Sequence, residues 1–207
     1  MAPVIVNPDH VREFKDADSF HRWLGEHHAS APEVWIKIHK VGSGKPSITA
    51  RDAIDVALCW GWIDGIRKGF DDKSFLQRYT RRGRRSIWSR INVENVERLL
   101  REGRMTEAGL REVQAAKADG RWDRAYASGG KLETPPDLLD AIRAEPEALA
   151  TYATLNATNR YALAFRLHHM RTEAGRQKKI ADFVAMLKRG ATIYPQSAKR
   201  AAKKAAE

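Results

Sequence analysis

Apolar positions along the 207-residue chain change their period several times, and each change marks an element. In "FKDADSFHRWLGEHHAS", Phe20, Trp23 and Leu24 recur at helical spacing behind acidic and serine residues suited to a cap. That predicts a short amphipathic helix ending before Pro32. "EVWIKIHK" alternates instead, with Val34, Ile36 and Ile38 on one side and Trp35, Lys37 and His39 on the other, the pattern of a half-buried strand. "VGSGKPS" is a turn by its glycines and proline. In "TARDAIDVALCWG" apolar residues occupy most of the circumference, which predicts a buried helix capped by Thr49, with Asp52 at the reciprocal position and Gly61 ending it. Two β-type runs come next, "WIDGIRKGF" and "SFLQRYTRR", separated by "DDK" as in a hairpin.

The rest of the chain is helical by pattern. Asn92 is read as the cap of "VENVERLLREG", and Thr106 as the cap of "EAGLREVQAAKADG", where Leu110 and Val113 mark the inward stripe. "RWDRAYASGGKLETPP" has the composition of a linker, which places a boundary near Gly129. Four helical segments come after it, "PDLLDAIRAEP", "EALATYATL", "RYALAFRLHHM" and "GRQKKIADFVAMLKRG", bounded by Pro146, Asn159 and Gly175. Ile180, Phe183, Val184 and Leu187 form the stripe of the last one. "SAKRAAKKAAE" has no stripe and reads as a frayed, disordered tail. The fold class expected is α+β: a small antiparallel sheet flanked by helices in residues 1–129, a helical module in 130–194 and a basic tail in 195–207.

Composition narrows the function. At 43% hydrophobic and 30% charged, the chain can build a core and is not globally disordered. Cys59 is the only cysteine, so an intramolecular disulfide and a thiolate metal cage are both excluded. No secretory layout at the amino terminus and no membrane-length apolar run are evident, and a soluble cytoplasmic protein is expected. The net charge of +11 is uneven: residues 64–90 contribute +6 and residues 160–207 contribute +9, while the remainder is slightly acidic. Two such basic blocks attract anions or lie solvated on exposed faces.

The residues that stand out chemically surround "ALCWGWIDGIRKGF". On a strand, Trp62, Asp64, Ile66 and Lys68 face one way; on its partner, Gln77, Tyr79 and Arg81 share one face and Arg78 and Thr80 the other. A buried Asp64 requires a partner, and Arg78 or Arg81 is the expected one. One reading makes Asp64 and Gly65 braces of the hairpin. The other builds a ligand site: Trp60, Trp62, Tyr79 and Trp88 as apolar walls, Arg78, Arg81 and Arg85 as forks for a carboxylate or phosphate, and Ser86, Ser89 and Asn92 as neutral donors beside a helix start. His27-His28 and His168-His169 are adjacent pairs that diverge on a helix, so no metal is expected, and no cofactor either. Ser86 and Ser89 have no histidine nearby in sequence to make a nucleophile, and Cys59 is read as inert core.

"EVWIKIHK", "ALCWGWIDG", "RYTRRGRRSIWSRIN", "GRMTEAGL" and "GRW", in that order, resemble the YdeI/OmpD-associated (OmdA, bacteriocin-protection) family over residues 20–190. The most specific parts are Gly61-Trp62-Ile63-Asp64-Gly65 and the S-x-W-S-x-x-N run from Ser86 to Asn92; Trp60 is a departure from the pattern. The resemblance implies a mixed fold with a carboxy-terminal helical module, and a role in protection against bacteriocins or cationic antimicrobial peptides without an established catalytic mechanism. The leading expectation is a non-catalytic stress or antimicrobial-protection protein that binds an anionic small molecule at the aromatic–arginine site. Two alternatives stand beside it: a nucleic-acid-binding protein using residues 78–90 and the tail, and an enzyme with Asp64 as its acid or base.

Overall fold

Phe20 and Leu24, the inward positions of the first helical pattern, are fully buried in the computed structural model, which describes residues 4–127, 132–170 and 172–196. The chain divides into two compact units, residues 1–125 and 126–207. The boundary near Gly129 lies outside the described residues, as does the tail beyond residue 196.

In the first unit the chain order is β1 (Val11–Arg12), α1 (Ala17–His27), β2 (Glu33–His39), α2 (Ala50–Cys59), β3 (Trp62–Asp71), β4 (Ser74–Arg81), α3 (Arg90–Arg101) and α4 (Glu107–Ala118). The strands form one sheet in the order β1-β2-β4-β3. The two long-strand pairings are antiparallel, β2 with β4 and β4 with β3, as the hairpin pattern predicts. The sheet as a whole is mixed, because Val11 and Arg12 join β2 in parallel opposite Trp35 and Ile36. Two residues are too few to show a period, so this edge strand was invisible in the sequence.

Register fixes which side chains share a face. Val34 and Asp64 both lie opposite Tyr79, and Trp62 lies opposite Arg81. That face packs under α1 and α2, where Val34, Ile36, Ile38, Trp62 and Tyr79 meet Phe20, Leu24, Val56 and Ala57. The expected alternation of β3 stops at a register shift between Asp64 and Arg67. A bulge inserts a residue and re-aims the side chains beyond it, so Arg67, not Ile66, joins the Asp64 face, where its Nε donates to Gln77 Oε1 at 3.0 Å. Trp35 departs from the half-buried reading as well. Its side chain is fully buried and its Nε1 donates to Glu33 Oε1 at 3.1 Å.

The caps are mostly where short polar side chains predicted them. Asp16, Thr49 and Thr106 each accept a backbone N–H from the first turn of α1, α2 and α4. Helix α3 differs: its cap is Ser89, whose Oγ accepts from Asn92 N at 3.2 Å, so Asn92 is inside the helix. A second core joins α2 to α3 and α4 through Leu58, Cys59, Trp88, Val96, Leu99, Val113 and Ala116.

The junction between α2 and α4 is unusually close. The Cys59 carbonyl accepts from Thr106 N at 3.1 Å and from Thr106 Oγ1 at 2.7 Å, which satisfies a carbonyl that a helix end leaves open. A methyl group on Gly109 would lie 2.3 Å from the same oxygen. Gly61 leaves α2 with φ of 71°, a left-handed turn that a side chain disfavours.

The second unit contains α5 (Pro136–Arg143), α6 (Pro146–Ala153), α7 (Ala157–His168) and α8 (Glu173–Lys188), matching the four expected segments. Ile180, Phe183 and Leu187 of α8 pack with Leu138, Ile142, Leu163 and Leu167. Asn156, not Asn159, caps α7. Asn159 is buried, and its amide nitrogen donates to Tyr194 O at 3.1 Å and Gln196 Oε1 at 3.0 Å while its oxygen accepts from Tyr194 N. It therefore ties the chain after α8 back onto α7. Thr172, not Gly175, begins α8.

Gly109→Ala is expected to destabilise the first unit by about 2 kcal/mol or more through overpacking against backbone, read as a lower urea midpoint. An unchanged midpoint would mean that α4 does not sit this close to α2.

Candidate functional site

The two tryptophans of Trp60-Gly61-Trp62 diverge because helix α2 ends between them. Trp62 opens β3 and points into the core, edge-on to Trp23 at 6.2 Å, with Nε1 donating to His28 O at 3.3 Å. Trp60 caps α2 and stays half-buried. Its ring lies between two histidines of the α1 region, 5.2 Å from His21 and 4.7 Å from His28, and its Nε1 donates to His21 Nδ1 at 3.1 Å.

A cavity of about 340 Å³ opens against this turn, lined by His28, Ala29, Trp60, Gly61, Trp62, Arg81, Arg82, Ala108, Arg111 and Glu112. Arg81 is fastened at its rim by Nη1 donating to Ala29 O at 2.9 Å. Arg111 is brought in by α4, whose position is set by the close contact of Gly109 with Cys59 O. Arg81, Arg111 and His28 thus line the cavity together with one carboxylate, Glu112, beside an indole. That arrangement suits an anion carrying an apolar or planar body.

The other candidate residues are placed elsewhere. Arg78 lies on the opposite face of the sheet from Trp62 and pairs with Glu33, its Nε and Nη2 each 2.6 Å from Oε2. Burial acts to raise the Glu33 carboxyl, but hydrogen bonds from His10, Arg78 and Trp35 and the Arg78 charge outweigh it and hold the group below the usual carboxylate range. Arg78 is therefore not the partner of Asp64, and neither is Arg81. Asp64 is half-buried; desolvation pushes its carboxyl up, opposed by its own backbone N–H and by the charges of Arg82 and Arg67. Tyr79 beside it is fully buried with a hydroxyl that has no hydrogen-bond partner among the described residues, and burial followed by the Asp64 charge pushes that hydroxyl up. Asp64 and Tyr79 do not line the Trp60 cavity.

The S-x-W-S-x-x-N run builds a loop and a helix start. Ser86 Oγ accepts from Gly83 N at 2.9 Å, and Ser86 O accepts from Arg121 Nη1 at 3.0 Å. Trp88 is buried against Trp122 at 5.0 Å, with the Arg82 guanidinium 3.5 Å over its ring. Ser89 and Asn92 form the cap of α3. Arg85 is exposed on the loop. Of the residues expected to surround one ligand, the cavity brings together Trp60, Trp62 and Arg81; Arg78, Tyr79, Arg85, Ser86, Trp88, Ser89 and Asn92 are outside it.

His21, His28 and Arg111 were not anticipated. His21 and His28 stand seven positions apart, two helical turns, and that spacing on α1 was a usable signal. Arg111 carried none, since only the packing of α4 brings it near. Cys59 is buried as expected, and desolvation pushes its thiol up to about 11, so it is not a nucleophile at neutral pH. Among the described residues no cluster of His, Cys, Asp and Glu could hold a metal ion.

Comparison with known families separates the two units. Residues 131–190 match the OmdA family, described as Bacteriocin-protection, YdeI or OmpD-Associated. The resemblance is borne out there. The G-W-I-D-G and S-x-W-S-x-x-N runs lie instead in residues 12–112, which match a different family, described as a domain of unknown function (DUF8412). Every residue lining the Trp60 cavity falls within that second match. Neither a curated protein nor a solved structure matches the chain.

The placement of Asp64 has a consequence for stability. The folded chain holds the Asp64 proton more tightly than the unfolded chain, so Asp64 makes stability fall as pH rises from the ordinary aspartate value through its raised one. Asp64→Asn is expected to remove that fall and to be no less stable than the native chain at pH 7, seen as the difference between two urea-midpoint profiles from pH 3.5 to 7. The difference isolates Asp64 from carboxylates such as Glu33, whose lowered values act in the opposite direction. A large loss of stability in Asp64→Asn at neutral pH would show that the charged form is needed.

The contact of Trp60 with His21 can be tested as well. An indole N–H only donates, so His21 accepts through Nδ1. The Trp60 indole N–H signal in ¹H–¹⁵N spectra, assigned with Trp60→Phe, is expected to move in His21→Phe, which removes the acceptor. An unchanged indole signal in that variant would contradict the contact.

Proposed function

We propose that this chain serves a protective role by holding an anionic small molecule in the Trp60 cavity, and that it does so in the cytoplasm as a binding protein. The coarse part, a YdeI-like bacteriocin-protection role, is what the match of residues 131–190 supports. The finer part rests on one observation: Arg81 and Arg111 line the cavity beside Trp60, and Glu112 is the only carboxylate among the described residues that line it. A single small anion with an aromatic or otherwise planar body fits that charge balance, its anionic group at Arg81 and Arg111 and its body against the indole. Asp64, the candidate acid or base, is not in the cavity lining, which favours binding over turnover there.

A thermal-shift screen of aromatic carboxylates and nucleoside phosphates tests the reading. At least one class is expected to raise the melting temperature of the native protein by several degrees, an effect lost in Trp60→Ala and in Arg81→Gln/Arg111→Gln. No shift with any anion, or a shift that survives both variants, would overturn it.

A further inference from the structure

We propose that the loop 82–89 and the first turn of α3 form a docking ridge for single-stranded nucleic acid, with Arg84, Arg85 and Arg90 taking its phosphates. This goes beyond the cavity reading and uses different residues.

The first support is charge that nothing nearby neutralises. Residues 73–93 contain seven lysines and arginines and no aspartate or glutamate. Of these, Arg78 is paired with Glu33, and outside the segment Arg98 pairs with Asp55, Arg121 with Asp119 and Arg176 with Asp137. Arg84, Arg85 and Arg90 are exposed and form no ion pair among the described residues.

The second support is that the ridge is held from beneath by arginines that do not point out. Arg82 is buried, lies 3.5 Å over Trp88 and donates from Nη1 to Ile87 O at 3.2 Å. Arg121, also buried, donates to Ser86 O at 3.0 Å. Gly83 and Ser86 close the turn on each other, with Ser86 N donating to Gly83 O at 2.8 Å and Gly83 N donating to Ser86 Oγ at 2.9 Å. The backbone carrying Arg84 and Arg85 is thus fixed before any partner arrives, so little conformational freedom is lost on binding.

Guanidinium forks match phosphate oxygens in pairs and also stack on bases. Two of them on one tight turn and a third at the start of α3 suit a strand flexible enough to bend successive phosphates to them, whereas duplex phosphates are fixed on a stiff helix. The loop turns Trp88 inward, so it offers no aromatic wedge to a lipid surface.

The test is fluorescence anisotropy of the full chain with a labelled single-stranded oligonucleotide between 50 and 300 mM KCl. Binding is expected, weakening linearly in log–log form with salt. Arg84→Gln/Arg85→Gln/Arg90→Gln is expected to lower affinity at least tenfold at 100 mM KCl and to reduce the salt slope by about 2, since each single-strand phosphate contact contributes about 0.7. Removing the same charge from the carboxy terminus, Lys199→Gln/Lys203→Gln/Lys204→Gln, is expected to cost less, and Trp60→Ala is expected to change nothing, which separates this ridge from the cavity. The proposal is overturned by absence of binding at 50 mM KCl, by a terminal triple variant that loses as much as the loop variant, by tighter binding to duplex, or by binding confined to anionic vesicles. Circular dichroism of the loop variant, whose changed side chains are all exposed, confirms that any loss is not unfolding.

Discussion

The last carbonyl of helix α2 organises the first unit. A helix end leaves carbonyls without partners, and Cys59 O finds two, the backbone and side chain of Thr106, which is itself the cap of α4. Finishing one helix and starting another are therefore one event in space. Gly109 makes the approach possible because any side chain there would strike the same oxygen. Gly61 uses its left-handed conformation to turn the chain from α2 into β3. The consequence reaches beyond packing, since this contact carries Arg111 and Glu112 to the turn that presents Trp60.

Aromatic and arginine residues run together in the sequence from Trp60 to Asn92, but the fold sorts them into separate environments. Trp62 and Tyr79 fill the core under α1 and α2. Arg82 and Trp88 stack within a loop anchored by the buried Arg121, where a planar cation covers an indole face and still donates to a carbonyl. Arg78 is on the other face of the sheet, neutralised by Glu33, whose carboxylate is also hydrogen-bonded to His10 and Trp35. Trp60, Arg81 and Arg111 remain around the cavity. The rest of the motif works as scaffold: it holds the hairpin, the loop and the cap of α3 in place around those three.

Much of the fold was legible because it depends on local chemistry. Capping by Asp16, Thr49 and Thr106, the hairpin at Asp72-Lys73, the end of α2 at Gly61 and the four carboxy-terminal helices all depend on residues close in sequence. Misreadings arose where distant contacts decide. The two-residue β1 has no period to detect, and the β3 bulge inverts alternation after Asp64 without changing composition. Asn92 resembled a cap, yet Ser89 reaches the first turn three residues earlier. The candidate site was partly legible: Trp60, Trp62 and Arg81 lie at the end of α2 and on the strand pair that follows it, while His21 and His28 depend on how α1 crosses α2. Arg78 was misplaced as a ligand group because its carboxylate partner is 45 positions away in the chain.

Helix α4 rides on the end of α2 closely enough to set Arg111 beside Trp60. Nuclear Overhauser spectroscopy on the labelled native chain measures this directly, because Glu112 Cγ lies 2.8 Å from where a methyl on Gly61 would be. Cross-peaks from the Gly61 α-protons to the Glu112 side chain, and from the Gly109 α-protons to Cys59, are the result this account requires. Assigned signals for all four residues with neither cross-peak would contradict it.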